Sequence, residues 1–153
     1  MSLDSDIRKL GSVQIFAQLD FDARRLIAFS AETRILRAGD VLFRRGDPSD
    51  CGYFVLSGSI SLDFSSDNSR SVQIVGRQCL IGELALLVET LRPATGVARE
   101  PSSVLKISRD LFRRVLNEYP DGAERIRRSI TRRLVEFVAD LDRLKENALT
   151  EGR

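Results

Sequence analysis

The stretch "IGELALLVETLRPATG", residues 81–96, holds one acid and one base at a fixed separation. Gly82 and Glu83 precede the apolar run from Leu84 to Val88, and Arg92 follows nine residues after the glutamate. Glycine lets the backbone approach a ligand closely, and an ionised glutamate accepts hydrogen bonds from sugar hydroxyls. A guanidinium matches two phosphate oxygens with its planar fork. These residue types in this order predict a cradle for a ribose phosphate.

The apolar run supplies the remaining donors that a buried phosphate needs. It is long enough for one helical turn, and the first backbone N–H groups of a helix favour an anion. The alternative is that Glu83 and Arg92 form a surface ion pair near a turn, which contributes only ~0–1 kcal/mol. The two residues by themselves favour this alternative, so the choice depends on the rest of the sequence.

Short runs of β-branched or aromatic residues fill the segment 33–108. They are separated by Ala-Gly-Asp, Gly-Asp-Pro, Ser-Gly-Ser and Ser-Asp-Asn-Ser, turn-forming sequences that recur every eight to twelve residues. This pattern predicts an antiparallel sandwich, barrel or jelly roll. The run "SSVLKIS", residues 102–108, is predicted to be a late strand of this sheet structure.

Apolar residues recur at helical spacing on both sides of the strand-rich segment. Residues 1–32 are predicted to be helical, with Asp20 and Asp22 suited to cap a boundary between two short helices. After the last strand a further short helix is predicted to end near Pro120, and a long helix to begin at about Asp121.

The long helix carries an apolar stripe with the 4-3-4-3-4 spacing of a coiled-coil seam. Its members are Ile130, Leu134, Phe137, Leu141, Leu144 and Ala148. The stripe either packs entirely on its own β domain or pairs with a second copy. We predict that the upper half packs on the domain and the lower half forms a homodimer. Five arginines at 125, 127, 128, 132 and 133 fall on several sides of the helix, which favours a solvated face over a nucleic-acid patch.

Composition excludes several classes of function. The 153 residues suit a single domain, and a net charge of +2 is too small to indicate nucleic-acid or membrane binding. No segment reaches the 18 apolar residues of a membrane span, and no signal peptide is visible, so a cytoplasmic protein is predicted. The absence of histidine removes most catalytic and zinc sites, so neither an enzyme, a metal nor a cofactor is predicted. Cys51 and Cys79 are predicted to be small buried hydrophobic residues.

The longer string "GELALLVETLRPAT" resembles the phosphate-binding cassette of cyclic-nucleotide-binding domains, written Gly-Glu-Leu-Ala-Leu, a variable stretch, then Arg-Ala-Ala-Thr. The string "AGDVLFRRGDPSDCGYFVLSGSISL" is similar to the first half of the β-roll in the same family. The resemblance implies one α+β domain over 1–153, built on an antiparallel β-roll. Its parts are N-terminal helices at 1–32, the β-roll at 33–108 with the cassette at 81–96, and C-terminal helices at 109–149.

The resemblance also implies roles for individual residues. Glu83 would accept from the ribose 2′-hydroxyl, Arg92 would bind the cyclic phosphate, and the amides of Leu84 and Ala85 would face that phosphate. The nine-residue step between the charged residues is similar to that of the kinase regulatory subunits, whereas the bacterial cAMP receptor proteins have one residue more. The predicted ligand-binding set is Gly82, Glu83, Leu84, Ala85, Arg92, Pro93, Ala94 and Phe137.

Two departures from the family pattern bear on selectivity. Pro93 stands where Ala, Ser or Thr is usual, so one N–H donor is lost, together with the hydroxyl that cGMP-selective domains use on guanine. Phe137 and Val138 stand where cAMP receptor proteins carry a Thr-Ser pair for the adenine. Phe137 either caps the face of the base or serves only as a seam residue. The ligand is predicted to be cAMP, with cGMP as the weaker possibility.

The predicted function is a regulatory sensor in which ligand orders the cassette and shifts the C-terminal helices. One alternative is a degenerate module that binds no nucleotide and serves for dimerisation or docking, which Pro93 favours and the intact charged pair opposes. Another is the effector-binding half of a transcription regulator similar to the cAMP receptor proteins. The sequence ends at Arg153, so no DNA-binding domain, spanning helix or kinase domain is predicted within it. The downstream partner stays open.

Overall fold

The structure is a computed structural model that describes residues 3–151, so the four outermost residues of the predicted domain lie outside the described part. The helices are α1 (Leu3–Leu10), α2 (Gln14–Ala17), α3 (Phe21–Ser30), a short 3-10 helix (Glu83–Leu86), α4 (Arg109–Glu118) and α5 (Pro120–Glu151). The strands are β1 (Glu32–Leu36), β2 (Val41–Phe43), β3 (Pro48–Ser49), β4 (Cys51–Ser57), β5 (Ile60–Asp63), β6 (Val72–Val75), β7 (Leu80–Ile81), β8 (Thr90–Leu91), β9 (Thr95–Ala98) and β10 (Ser102–Ser108).

The strands between the two helical parts form an antiparallel β-roll. One four-stranded sheet has the order β1-β10-β4-β7, a second has the order β2-β9-β5-β6, and β3 pairs with β8. The predicted α+β class and β-roll are confirmed, and β10 covers the predicted late strand, residues 102–108. The boundary with the N-terminal helices differs slightly, because β1 begins at Glu32 rather than at residue 33.

Strand β4 is buried on both faces and divides the core into two parts. Since successive side chains of a strand point to opposite faces, Tyr53 and Val55 enter the interior of the roll, whereas Phe54 and Leu56 face the helices. The helix side also contains Phe16, Phe112 and Ile126, among others. Burial on both faces explains why β4 is a continuous apolar run instead of an alternating one.

Local signals define the helices on either side of the roll. Asp20 caps α3 by accepting from the N–H of Ala23 at 3.4 Å, as predicted for one of the two aspartates. Ser108 caps α4 in the same way, accepting from the N–H of Leu111 at 3.0 Å. Helix α5 begins at Pro120, one residue before the predicted start, because proline is well suited to the first helical position, where no N–H is needed.

The long helix α5 changes character along its length. Ile126 is buried, and Ile130, the first residue of the predicted stripe, packs partly on the helix-side core. The prediction that the upper half of the stripe packs on its own domain holds for Ile130 but not for Leu134 and Phe137, which are exposed. Farther along, the apolar residues are exposed: Leu134, Val135, Phe137, Val138, Leu141, Leu144 and Leu149. Among residues 3–151, no helix combines the length and the apolar character needed to cross a bilayer.

Candidate ligand-binding site

The cassette begins with a glycine that no other residue could replace without strain. Gly82 has a φ of 81°, in the left-handed region, and a Cβ placed on it would lie 2.6 Å from Nη1 of Arg92. The predicted helical turn is a 3-10 helix over Glu83–Leu86, which begins one residue before the apolar run. The N–H of Ala85 donates to the carbonyl of Gly82 at 3.1 Å, so this amide closes the turn in the present conformation.

Arg92 lies at the opposite end of the cassette and is only 5% exposed. Its Nη2 donates to the carbonyl of Cys51 at 2.7 Å and contacts Sγ of the same residue at 3.3 Å. Its Cζ lies 4.6 Å from the ring centre of Phe43 and 5.4 Å from that of Tyr53. The two rings are stacked with their centres 5.9 Å apart, so together they form an aromatic platform for the guanidinium.

The charge of Arg92 is not neutralised by this surrounding. Burial, together with a hydrogen bond to Cys51, raises the pKa of Tyr53 to about 12, so the phenol stays neutral at physiological pH. Within the part of the chain that the structure describes, Arg92 forms no ion pair with a carboxylate. A buried cation without a counter-ion is a strong attractor for an anion. The alternative of a surface ion pair between Glu83 and Arg92 is wrong, because Arg92 is buried and Glu83 pairs with Arg133.

Two openings meet at Arg92. A cavity of about 380 Å³ in the interior of the roll is lined by Gly82, Arg92, Pro93 and Ala94, with apolar walls that include Leu62. A neighbouring cleft of about 310 Å³ is lined by six of the predicted residues: Gly82, Glu83, Leu84, Ala85, Arg92 and Pro93. Both volumes suit a small ligand that is surrounded by apolar walls and a few polar groups. The structure thus brings seven of the eight predicted residues to one continuous region.

Phe137, the eighth, lies elsewhere. It lines an apolar groove of about 440 Å³ between α5 and the outer face of the cassette, together with Leu84, Leu134 and others. Its side chain is 58% exposed and is absent from the walls of the interior cavity. The predicted contact between Phe137 and a base in the roll is not present in this conformation, because α5 runs outside the roll.

Glu83 also lines that groove and connects the cassette to α5. Its Oε1 accepts from Nη2 of Arg133 on α5 at 2.8 Å, and both side chains are about a third exposed. This hydrogen bond raises the pKa of Arg133. The acid end of the cassette is therefore bonded to the long helix, whereas the base end is bonded to the strand β4.

Sequence reasoning missed the residue that ties the cassette to α4. Arg109, the first residue of α4, donates from Nε to the carbonyl of Ala85 at 2.8 Å and from Nη2 to that of Val88 at 3.0 Å. It also donates to the carbonyl of Ser49. No local pattern could have revealed these bonds, because the acceptors are backbone carbonyls 21 to 60 residues away.

The two cysteines differ from each other. Cys51 is buried beside Arg92, as predicted, but Cys79 is exposed and lines the interior cavity, so the prediction for Cys79 is wrong. Cys79 follows Gln78, whose φ of 63° turns the chain before β7. The turn directs this part of the chain to the mouth of the cavity instead of the core.

Comparison with known proteins assigns the family. The sequence profile described as "Cyclic nucleotide-binding domain" matches residues 33–119, which is more than half of the chain. The chain belongs to the cyclic nucleotide-binding domain family. The match begins at the second residue of β1 and includes the rest of the β-roll, the cassette and α4.

Individual relatives agree with this assignment. The cAMP-dependent protein kinase regulatory subunit of Eremothecium gossypii is 34% identical over 107 residues, which cover 70% of this chain and 23% of the relative. A cyclic nucleotide-binding-like protein from Brucella abortus is 42% identical with a TM-score of 0.69, covering 74% of this chain and 99% of the other. The N-terminal domain of a transcriptional regulator from Streptomyces coelicolor is 31% identical with a TM-score of 0.81, covering 87% of this chain and 94% of the other. This chain spans 8% to 28% of the length of curated relatives that it matches.

As a cyclic nucleotide-binding domain, the protein is a regulatory module with a β-roll, N-terminal helices and a long C-terminal helix. The surroundings of Arg92 are consistent with the family assignment. The buried cation, its aromatic platform and the glycine that approaches it form the wall of a cavity suited to a small anion.

Proposed function

We propose that this domain is a sensor that binds cAMP in preference to cGMP and transmits binding through α4 and α5. The observation that carries the proposal is the guanidinium of Arg92, buried without a counter-ion at the junction of the interior cavity and the cassette cleft. A cyclic phosphate carries one negative charge and two free oxygens. It would therefore neutralise the charge of Arg92, and its two oxygens would accept hydrogen bonds from the planar guanidinium.

The sugar end of the ligand would meet Glu83. One carboxylate oxygen of Glu83 accepts from Arg133, and the carboxylate has further lone pairs for a ribose hydroxyl. A ribose hydroxyl at Glu83 would share or displace the guanidinium of Arg133. Ligand binding would then alter a direct bond between the cassette and α5.

A second connection runs through Arg109. Because Arg109 bonds two carbonyls of the cassette, any tightening of the cassette around a phosphate would also pull on the start of α4. Helix α4 packs against α5 in turn. Signal transmission is thus proposed as a population shift of both C-terminal helices, driven by differential contacts with the ligand.

The preference for cAMP is argued from Pro93, which lines both the cavity and the cleft. Proline offers neither a hydroxyl for the amino group of guanine nor an N–H for the phosphate. A guanine base would therefore gain no extra hydrogen bond at this position. No enzymatic activity is part of the proposal, since the site supplies a cation and donors but no nucleophile paired with a base.

The proposal includes a homodimer through the lower half of α5. The exposed apolar residues Leu134, Leu141 and Leu144 keep the seam spacing beyond the last contact with the domain. A regular apolar seam exposed over about two heptads is typical of a helix that pairs with another. A cytoplasmic location is part of the same proposal and is consistent with two free thiols, Cys51 and Cys79.

Calorimetric titration of the parent protein with cAMP, cGMP and a cyclic dinucleotide tests the proposal. We expect one site per chain, tighter binding of cAMP than of cGMP, and no binding of the cyclic dinucleotide, which is too large for the interior cavity. The absence of heat with both mononucleotides, in protein that is folded by circular dichroism, would contradict nucleotide sensing and favour the docking module. Equal affinities would contradict only the selectivity.

A further inference from the structure

We propose that Phe43 on β2 is a positioning residue for the cyclic phosphate and acts through Arg92. This inference rests on the proposed binding of a cyclic nucleotide at Arg92. Cζ of Arg92 lies 4.6 Å from the ring centre of Phe43, which is nearer than the 5.4 Å to that of Tyr53. A planar guanidinium stacks on an aromatic face, so the ring sets the plane of its donors. Phe43 therefore decides how Arg92 presents those donors to a phosphate.

Two further contacts set the rotation of the guanidinium within that plane. Nη2 of Arg92 donates to the carbonyl of Cys51 at 2.7 Å. Nη1 lies on the cassette side, because a Cβ placed on Gly82 would be only 2.6 Å from it. The hydrogen-bond contacts of Arg92 with the described residues 3–151 both use Nη2, which leaves Nη1 for a ligand. The ring, the carbonyl and the cassette together select one orientation of the guanidinium.

The residue opposite Phe43 is a glycine that makes room for the ring. Gly96 pairs with Phe43 on one side and with Leu62 on the other, so it lies in an inner strand of its sheet. Its φ lies outside the left-handed region, so the backbone does not require glycine here. A Cβ at this position would lie 2.9 Å from Cζ of Phe43 and 3.0 Å from Cε2. Glycine weakens a strand interior and often marks a close approach, which here is the approach of the Phe43 ring.

Packing of the core does not by itself explain an aromatic residue at this position. Among the described residues, the buried cluster inside the roll consists mostly of aliphatic side chains, and its two aromatic members are Phe43 and Tyr53. These are the same two rings that contact Arg92. Aliphatic side chains could fill the space but would offer no negative face to a cation. The aromatic residues therefore stand where the guanidinium needs them.

A guanidinium held in one orientation distinguishes the two exocyclic oxygens of a cyclic phosphate. Because Nη2 is shared with the carbonyl of Cys51 and Nη1 is not, the two oxygens would meet donors of unequal strength. Sulfur is a weak acceptor, so replacing the more strongly bonded oxygen by sulfur lowers affinity more than replacing the other. The two phosphorothioate diastereomers of cAMP report this difference. A guanidinium that can rotate would bind them more equally.

Phe43→Leu tests the role of the ring. Leucine keeps an apolar side chain in the core but has no aromatic face, and we expect cAMP affinity to fall about 10-fold. We expect the parent to prefer one phosphorothioate diastereomer by about 10-fold or more, because a charge-assisted hydrogen bond is at stake. In Phe43→Leu this ratio should fall at least about 3-fold. Leu42→Val is the matched control, because it removes volume from a buried neighbour that does not line the cavity and should leave the ratio unchanged.

A double-mutant cycle separates action through Arg92 from direct contact with the ligand, since Phe43 also lines the interior cavity. In an Arg92→Lys background we expect Phe43→Leu to lower cAMP affinity by less than about 2-fold, because an ammonium has no plane for the ring to orient. An undiminished loss in that background would overturn the positioning role.

Gly96→Ala is a second variant that keeps Phe43 and decides the matter if Phe43→Leu does not fold. Its methyl group would push against the ring, so the ratio of the diastereomers should fall as in Phe43→Leu. If the parent binds cAMP but both folded variants keep its affinity and its ratio, the role of Phe43 is refuted and nucleotide sensing stands. If the parent binds no cyclic nucleotide, nucleotide sensing itself is refuted and the role of Phe43 with it.

Discussion

The two charged ends of the cassette are held in different ways. Arg92 is buried, stacked over two aromatic rings and bonded to a backbone carbonyl of β4. Glu83 is about a third exposed and bonded to Arg133, a flexible side chain on a different helix. One end is bonded to the β-roll itself, whereas the other is bonded to the long C-terminal helix.

This difference is consistent with different roles for the two ends in the proposed function. A preorganised buried cation contributes affinity, because little ordering is left to occur on binding. A partly exposed ion pair contributes only ~0–1 kcal/mol and can be exchanged for another partner at small cost. The Arg92 end is therefore suited to capture of the ligand, and the Glu83 end to transmission toward α5. The following experiments test this contrast, from the largest expected effect to the smallest.

The capture end is tested by Arg92→Ala. We expect cyclic-nucleotide affinity to fall by ~2–5 kcal/mol, measured by calorimetry, because the phosphate would be buried without its cation. Because Arg92 bonds a buried carbonyl, we also expect a loss of about 1–3 kcal/mol in the free energy of unfolding without ligand.

Arg92→Lys is the matched control for charge. Lysine keeps the positive charge but lacks the planar pair of donors and the stacking on Phe43 and Tyr53. We therefore expect a nucleotide affinity between those of the parent and Arg92→Ala. A variant Arg92→Ala that is folded and binds as tightly as the parent would remove Arg92 from the site.

The α5 seam is tested by the double change Leu141→Glu and Leu144→Glu. We expect the dimer to dissociate, with a loss of at least about 2 kcal/mol in the free energy of dimerisation, because carboxylates would be buried in an apolar seam. Sedimentation velocity measures the outcome. Leu149→Glu is the control, since Leu149 is equally exposed on α5 but lies off the seam. A parent protein that is monomeric at high concentration, with or without cAMP, would leave the stripe without a partner helix.

The role of Pro93, the residue after Arg92, in the choice between cAMP and cGMP is tested by Pro93→Thr. We expect the ratio of cGMP to cAMP affinity to rise by about 0.5–1.5 kcal/mol, because threonine adds a hydroxyl within reach of guanine. Pro93→Ala, which restores only the N–H, should improve both nucleotides alike. Competition binding with both nucleotides measures the ratio, and an unchanged ratio in Pro93→Thr would mean that the base is not recognised from this position.

The transmission end is tested by Arg133→Met. We expect cAMP affinity to change by less than about 1 kcal/mol, because the bond to Glu83 is partly exposed. The response of α5 should be lost, measured as the ligand-dependent change in hydrogen–deuterium exchange along that helix. Arg132→Met is the control, because Arg132 forms no ion pair within the described residues. A large loss of affinity with an intact α5 response would reverse the roles assigned to the two ends.

Sequence reasoning located the elements better than their contacts. The turn signals predicted the roll, Asp20 caps a helix as expected, and the cassette string named Gly82, Glu83 and Arg92. It did not show that Glu83 bonds Arg133, that Arg92 bonds the carbonyl of Cys51, or that Phe137 lies outside the roll. The two bonded pairs are 50 and 41 residues apart in the chain, and no local pattern connects them.

The sequence by itself determined the family, the order of helices and strands, and the glycine that lets the cassette approach Arg92. Such features depend on side-chain periodicity, caps and backbone freedom within a few residues, so they can be recognised in a short stretch of chain. Only the tertiary structure decided which end of the cassette is enclosed by the β-roll and which is bonded to α5. Burial and hydrogen-bond partners arise when distant elements pack together. The packing of α5 outside the roll left Glu83 about a third exposed, while β2 and β4 enclosed Arg92.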